Sequence, residues 1–311
     1  MISNLLRRSR AALAITVATG ALIAVASPAQ AVTGPPTLAK SAFLMDGTTG
    51  ATLANKAGDT KLEGASTTKI MTALVVLTSP GIDLNKKVTV QQEYLDYVVR
   101  EGASTARLKA GATPTVRQLL YGMMLPSGCD AAYALADTFG SGASRQDRIN
   151  DFIAKMNAKA KTLGMTNTYY DAFDGISQHG NNKITARDLA KLTRAAMKGT
   201  TFKSIVKTYS YSTGGTSTST TWTNTNLLIT PGHAYQTQGA IGVKTGSGSV
   251  AGQCLVFSVT RNGKTIIGVL LNSTDRYPDA IALTNWALGA PAGAPALQRS
   301  TTSEPIPDVL D

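Results

Sequence analysis

The sequence predicts an α+β fold: an antiparallel sheet flanked by helices, with an all-helical lobe inserted into it and a functional cleft between the two. Three observations predict it. Short strand patterns open the chain, the middle third carries apolar residues at helical spacing, and the last third switches to period-2 alternation before a closing helix.

Taken in order, the first 31 residues read as an export leader. Arg7, Arg8 and Arg10 form a basic head, an apolar run spans 11–26, and Ala29-Gln30-Ala31 offers a small-residue cleavage site. A retained membrane anchor fits less well, because the run is short and diluted by Thr16, Thr19 and Gly20. Twin-arginine export is a minority reading, since Arg10 and Ala11 follow Arg7-Arg8 where bulky apolar residues are wanted. After a Gly34-Pro35-Pro36 linker, 41–45 and 51–54 read as paired strands across the turn Asp46-Gly47-Thr48-Thr49-Gly50. A helix over 66–77 places Ile70, Ala73, Leu74 and Leu77 on one stripe.

The inserted lobe spans about residues 90–200. Helices are expected over 115–125, over 128–139 with Gly140 as stop, from the cap Ser144 to 162 with Gly164 as stop, and from the cap Thr185 toward Gly199. Residues 214–221 form a Ser/Thr/Gly loop. Strands follow over 240–244, 253–261 and 265–272, the last two joined by the hairpin signal Asn262-Gly263. Pro278 opens a helix to 288. The chain thus divides into a leader (1–31), one folded unit (32–288) and an Ala-, Pro- and Ser-rich tail (289–311) expected to be disordered.

Composition narrows the function classes. The 311 residues are 43% apolar and 16% charged, with 30 Lys+Arg against 19 Asp+Glu. The net charge of +11 becomes +8 once the leader's three arginines are removed, which favours anionic wall or membrane surfaces. No basic tract is interleaved with aromatics, so a nucleic-acid partner is not expected. A monomer is expected. Of the two cysteines, Cys129 falls inside a motif, so two free thiols are favoured over a disulfide.

Three short motifs carry chemistry. Ser66-Thr67-Thr68-Lys69 sets a hydroxyl and an amine three residues apart at a helix start, on one face and at the positive end of the dipole. A serine hydroxyl needs a base within hydrogen-bond reach, and a lysine serves as one when burial or a nearby cation favours its neutral form. Alone the pattern is weak, because Ser204-Ile205-Val206-Lys207 repeats it and a serine at a helix start is usually only a cap. Lys244-Thr245-Gly246 lies at the end of a predicted strand. There a lysine and a hydroxyl can hold a carboxylate, and the glycine lets a substrate backbone approach. Ser127-Gly128-Cys129 sits on a turn between two predicted helices.

In this order, with spacings of 61 and 117 residues, the set resembles the S-x-x-K, S-x-N and K-T-G constellation of penicillin-recognising enzymes. The flanks Lys69-Ile70-Met71-Thr72-Ala73, Asp130-Ala131-Ala132 and Trp222-Thr223-Asn224-Thr225-Asn226-Leu227-Leu228 agree. Over about 42–288 the chain resembles the D-alanyl-D-alanine carboxypeptidase/transpeptidase family of low-molecular-mass penicillin-binding proteins, and its fold is expected to be β-lactamase/transpeptidase-like. The resemblance implies Ser66 as nucleophile, Lys69 as base and Ser127 as proton relay. It implies Lys244 and Thr245 as carboxylate holders, and the N–H groups of Ser66 and Ser247 as the oxyanion hole. It implies peptidoglycan stem peptides as substrate and β-lactams as inhibitors, with no metal and no cofactor. Carboxypeptidase and transpeptidase activity both stay open. Cys129 stands where the family carries Asn, as in a branch of exported DD-transpeptidases with S-G-C, and a thiol replaces an amide poorly. The chain lacks the extra β-rich domain and anchor helix of many relatives, so a soluble or loosely attached protein is expected.

Rival readings are weaker. A class A β-lactamase needs a carboxylate base on the loop over 164–180, which holds Asp171 and Asp174 but no Glu. A Ser-His-Asp hydrolase lacks G-x-S-x-G, and its only histidines, His179 and His233, lie in polar, Gly-rich surroundings. Cys129 as nucleophile has no His near it in sequence. No H-E-x-x-H occurs, and Gly263-Lys264-Thr265 lacks the earlier glycine of a phosphate loop because position 258 is Ser. A non-catalytic wall-binding or β-lactam-sensing protein on the same fold is the remaining alternative.

Overall fold

The computed structural model describes residues 34–214 and 220–291. The expected leader over 1–31, most of the expected tail and the centre of the Ser/Thr/Gly loop lie outside the described residues.

Strands β1 (Ser41–Asp46) and β2 (Thr52–Lys56) open the sheet. They are joined by a turn in which the Asp46 carboxylate accepts from the N–H of Thr48 and Thr49. Those bonds hold its pKa below the ordinary carboxylate range. Strands β5 (Ala240–Gly248), β6 (Gly252–Arg261) and β7 (Lys264–Ser273) complete an antiparallel sheet of order β2-β1-β7-β6-β5. The β6–β7 turn is Asn262-Gly263, with φ of 49° and 74°, the paired positive values that suit the twist of a tight hairpin. The first strands therefore pair with the last, Phe43 opposite Val269.

Strand alternation builds two cores. Phe43, Met45, Cys254, Val256, Ile267 and Val269 join the cluster of the helical lobe. Ala42, Leu44, Leu255, Phe257, Ile266 and Leu270 pack with Tyr277, Ala280 and Ile281 of the final helix, α8 (Arg276–Leu288). Burial of each Val, Leu, Ile, Phe or Met among them contributes about 1.5–3 kcal/mol, so both faces favour one register. Pro278 falls inside the first turn of α8 instead of opening it, a place where its missing N–H costs nothing.

Between β2 and β5 run α1 (Lys69–Leu77), α2 (Gln92–Glu101), α3 (Val116–Met124), α4 (Cys129–Phe139), α5 (Arg145–Thr162), α6 (Ala186–Ala196) and α7 (Thr200–Val206). Thr115 and Ser144 close capping boxes on α3 and α5. Helices α2 and α7 and the small hairpin of β3 (Ser210–Ser212) with β4 (Thr221–Thr223) add to the elements expected from the sequence.

Candidate active site

Ser66 lies on a 3-10 turn, Ala65–Thr68, that hands over to α1 at Lys69. The expected plain helix start at 66 is thus corrected. The tighter turn eclipses residues three apart, which sets the Lys69 side chain directly beside Ser66. Thr67 fastens the turn by donating to the Gly64 carbonyl from both its N–H (3.1 Å) and its hydroxyl (2.6 Å). Lys69 Nζ donates to Ser66 Oγ, to Cys129 Sγ at 3.2 Å and to the Asp174 carbonyl at 3.2 Å. All three ammonium donors are used, and neither Ser66 nor Lys69 is exposed to solvent. The competing pair separates cleanly here: Ser204 and Lys207 are both on the surface.

Ser127 sits between α3 and α4 with φ of 66°, a conformation that costs a non-glycine residue about 1–3 kcal/mol. Neighbouring bonds hold it there. Its carbonyl accepts from Ser104 Oγ at 2.8 Å, and Cys129 N–H donates to the Ser104 carbonyl at 2.8 Å. Asp130 anchors the same bend. Its buried carboxylate accepts from Thr105 Oγ1 (2.8 Å), Ala106 N (2.8 Å), Leu108 N (3.1 Å) and Ala131 N (2.9 Å).

The third motif lies inside β5, which runs on to Gly248, and not at a strand end. Lys244 Nζ donates to Ser127 Oγ at 2.8 Å and to the Thr245 carbonyl at 3.1 Å. The hydroxyls of Thr245 and Thr225 lie 2.6 Å apart, and Thr225 N–H donates to the Leu125 carbonyl at 3.1 Å. The segment around Trp222 thereby ties the Ser127 bend to β5. Gly246 also has a use in packing. A Cβ there would lie 2.8 Å from the Gly64 carbonyl and 3.2 Å from Ser66 N, so its bareness lets β5 dock against the turn that carries Ser66.

The side chains of Ser66, Lys69 and Cys129 are therefore linked, as are those of Ser127 and Lys244, and the Cys129 thiol joins the two groups through the Ser127 carbonyl, with Thr245 and Ser247 further along β5. Beside them a cleft of about 270 Å³ is lined by Ala65, Gly175, Ile176, Ser177 and Ser247. Cys129 is fully buried, and burial pushes its thiol up to about 12 against the pull of Lys69. At neutral pH it is a protonated thiol, a weak nucleophile. Cys254 is likewise buried, and no disulfide joins the two. Among the described residues no group of three or more His, Cys, Asp or Glu is placed to hold a metal ion.

Three contributors escaped the sequence reading. The Tyr97 hydroxyl on α2 donates to Asp174 Oδ2 at 2.8 Å. Asn182 Nδ2 donates to Thr68 Oγ1, at the end of the turn that carries Ser66, at 2.9 Å. Arg276 Nη1 donates to Ser247 Oγ (3.1 Å) and the Gly246 carbonyl (3.2 Å). Each is a single polar residue acting across a long stretch of chain, with no local pattern to announce it. His179 is exposed, and His233 Nδ1 accepts from Tyr235 N–H at 3.1 Å; neither hydrogen-bonds to Ser66.

Residues 28–275 match the family described as D-alanyl-D-alanine carboxypeptidase. The chain is 50% identical over 292 residues to the D-alanyl-D-alanine carboxypeptidase of Streptomyces sp. strain K15, covering 90% of this chain and 98% of that one. It is 31% identical over 269 residues to D-alanyl-D-alanine carboxypeptidase DacF of Bacillus subtilis strain 168, covering 85% of this chain and 66% of that one. The crystal structure of the Streptomyces K15 DD-transpeptidase matches with a TM-score of 0.78 at 50% identity, over 83% of this chain and all (100%) of that one. That of D-alanyl-D-alanine carboxypeptidase from Mycobacterium tuberculosis H37Rv matches with a TM-score of 0.73 at 29% identity, over 89% and 99%.

Proposed function

The chain belongs to the D-alanyl-D-alanine carboxypeptidase family, and on that premise we propose that Ser66 forms the acyl-enzyme of a serine-type D-Ala-D-Ala carboxypeptidase/transpeptidase. Its fold is the α+β transpeptidase fold. The observation that carries the assignment is the Lys69 Nζ–Ser66 Oγ hydrogen bond in a fully buried pair.

The geometry supports the following sequence. Lys69, as the neutral amine, takes the hydroxyl proton along the line on which its ammonium now donates. Ser66 Oγ attacks the carbonyl between the two D-alanines of a stem peptide. The N–H groups of Ser66 and Ser247 receive the oxyanion, where one donor is worth about 10²–10³ in rate. Lys244 and Thr245 hold the terminal carboxylate. The peptide C–N bond breaks, and the leaving amine takes a proton through Ser127, whose hydroxyl lies 2.8 Å from Lys244 Nζ. Water or an amine then attacks the ester, releasing Ser66 and giving hydrolysis or cross-linking respectively.

A β-lactamase reading finds no support in the loop beneath Ser66. The Asp174 carboxylate is engaged by Tyr97 and by Ile176 N–H (3.0 Å), and Asp171 Oδ2 by Ser177 Oγ (2.6 Å) and Asn181 N–H (3.1 Å). Penicillin is expected to leave a long-lived adduct. Mass spectrometry tests this: an adduct on the Ser66 peptide that persists for hours supports the reading, and rapid penicillin turnover overturns it. A D-Ala-D-Ala donor supplied with and without an amine acceptor separates transpeptidase from carboxypeptidase. Action outside the cytoplasm, on peptidoglycan, agrees with the leader and with the net charge of the chain. No described helix is long and apolar enough to cross a membrane.

A further inference from the structure

A second cleft, of about 420 Å³, opens on the helical lobe between α2, α5 and the loop over 169–179. We propose that it is a subsite for the amine-bearing residue of a peptidoglycan stem peptide, with Asp171 receiving the ammonium. The proposal rests on Ser66 forming the acyl-enzyme and adds where the rest of the peptide lies.

Position comes first. Ile176 lines both this cleft and the smaller one that touches Ala65 and Ser247, so the two are neighbours across one side chain. Tyr97 and Phe173, in its wall, flank Asp174 in space and in sequence, and the Asp174 carbonyl touches Lys69 Nζ. A peptide acylated at Ser66 therefore has the second cleft as the neighbour of the first.

Chemistry comes second. Tyr97, Tyr133 and Phe173 pack edge and face into an aromatic wall suited to the methylene stem of a long side chain. Arg100 and Glu101, at its mouth, pair with each other at 3.1 Å. Asp171 has no ion pair among the described residues. Its Oδ2 accepts two hydrogen bonds, while its Oδ1 is shut off from solvent without a partner. A carboxylate oxygen buried in that way is unfavourable until a donor arrives, and an ammonium on a flexible stem supplies both charge and hydrogen bond.

The amine belongs to the donor peptide, because an acceptor's amine has to attack the Ser66 ester and cannot at the same time rest on Asp171. Release of D-alanine is compared between Nα-acetyl-L-lysyl-D-alanyl-D-alanine and its Nα,Nε-diacetyl form. Asp171→Asn keeps the shape and is expected to raise KM for the free amine about tenfold. Asn150→Lys, at an exposed position of α5 in the same cleft, leaves the Asp171 anchors intact and is expected to weaken the free-amine preference. Equal KM values for free and acetylated amines in the parent enzyme, or a preference that survives Asn150→Lys, overturns the subsite. Failure of penicillin to acylate the parent enzyme would instead strike at the Ser66 reading.

Discussion

The Tyr97 hydroxyl and the Asp174 carboxylate form a buried hydrogen bond of 2.8 Å that fixes the carbonyl against which Lys69 is aimed. The loop carrying Asp174 is otherwise bonded to α1, where the Thr72 hydroxyl donates to the Phe173 carbonyl. Tyr97 adds a pin from α2. Burial first, and then the Asp174 charge, push the Tyr97 hydroxyl far above its ordinary range, so it stays a donor throughout the working range of pH.

Tyr97→Phe therefore leaves a buried carboxylate oxygen short of a donor. A hydrogen bond to a charged group is worth about 1.5–3 kcal/mol, which lowers Tm by roughly 3–12 °C in a domain of this size. The lysine loses a fixed partner, so penicillin acylation is expected to slow about tenfold as well. Scanning fluorimetry and stopped-flow acylation read the two effects. An unchanged acylation rate with a lowered Tm would reduce Tyr97 to packing.

The two S-x-x-K motifs make a paired test. Ser66→Ala is expected to abolish the penicilloyl adduct, because Lys69 then has no nucleophile to deprotonate. Ser204→Ala, at an exposed position of α7, should label at the parent rate and unfold within about 0.5 kcal/mol of it. Intact-mass spectra after penicillin treatment decide both.

That contrast marks how far the sequence was legible. The order of motifs singled out Ser66, and burial together with its hydrogen bond to Lys69 separates it physically from Ser204. Turn and cap signals were local and strong, as at Asn262-Gly263, Thr115 and Ser144, so the elements they bound were readable. Helix α2 was not, because its apolar face is a single short patch, Tyr94, Leu95, Tyr97 and Val98, of which only the two tyrosines are fully buried. The strand carrying Lys244-Thr245-Gly246 read too short because glycine and serine stand where strand formers are expected. The bareness of Gly246 serves the docking of the turn that carries Ser66. The pins on Lys69 span 60 and 105 residues of sequence, beyond any local pattern.

Asp130 holds four donors at once, so Asp130→Ala leaves several buried N–H groups unsatisfied. A loss of about 3 kcal/mol or more is expected, with Tm down by roughly 6–12 °C. Acylation should fall too, because the strained Ser127 bend depends on that anchor. Chemical denaturation gives the first number and penicillin labelling the second.

Alkaline pH should destabilise the protein through Cys129. Its thiol titrates near 9.0 when unfolded and is pushed to about 12 when folded, chiefly by burial. Between those values the unfolded chain gives up a proton that the native state keeps. Stability is therefore full below about pH 9 and falls as pH rises, by up to about 1.4 kcal/mol per unit. Tyr94, Tyr97 and Tyr170, all raised from 10.0 mainly by burial, steepen the fall above about pH 10 in the same direction. Tm measured from about pH 8 to 11 should decline, and more shallowly in Cys129→Ala. A flat parent profile would contradict a buried, protonated thiol.

Gly175 offers the sharpest test of how tightly the nucleophile is held. Its φ is 105°, and a Cβ there would lie 1.9 Å from the Ala65 carbonyl oxygen and 3.0 Å from Ser66 N. Gly175→Ala must displace the main chain of the nucleophile turn. Misplacing a reacting group by about 1 Å typically costs about 10²-fold, so acylation is expected to drop at least that far. Gly164 supplies the control: φ is 67°, and a Cβ there meets nothing within 4 Å. Gly164→Ala carries a backbone penalty of about 1 kcal/mol without the collision, and should acylate like the parent. Equal loss in both variants would assign the effect to backbone strain, whereas loss confined to Gly175→Ala places it at the contact between the loop and Ser66.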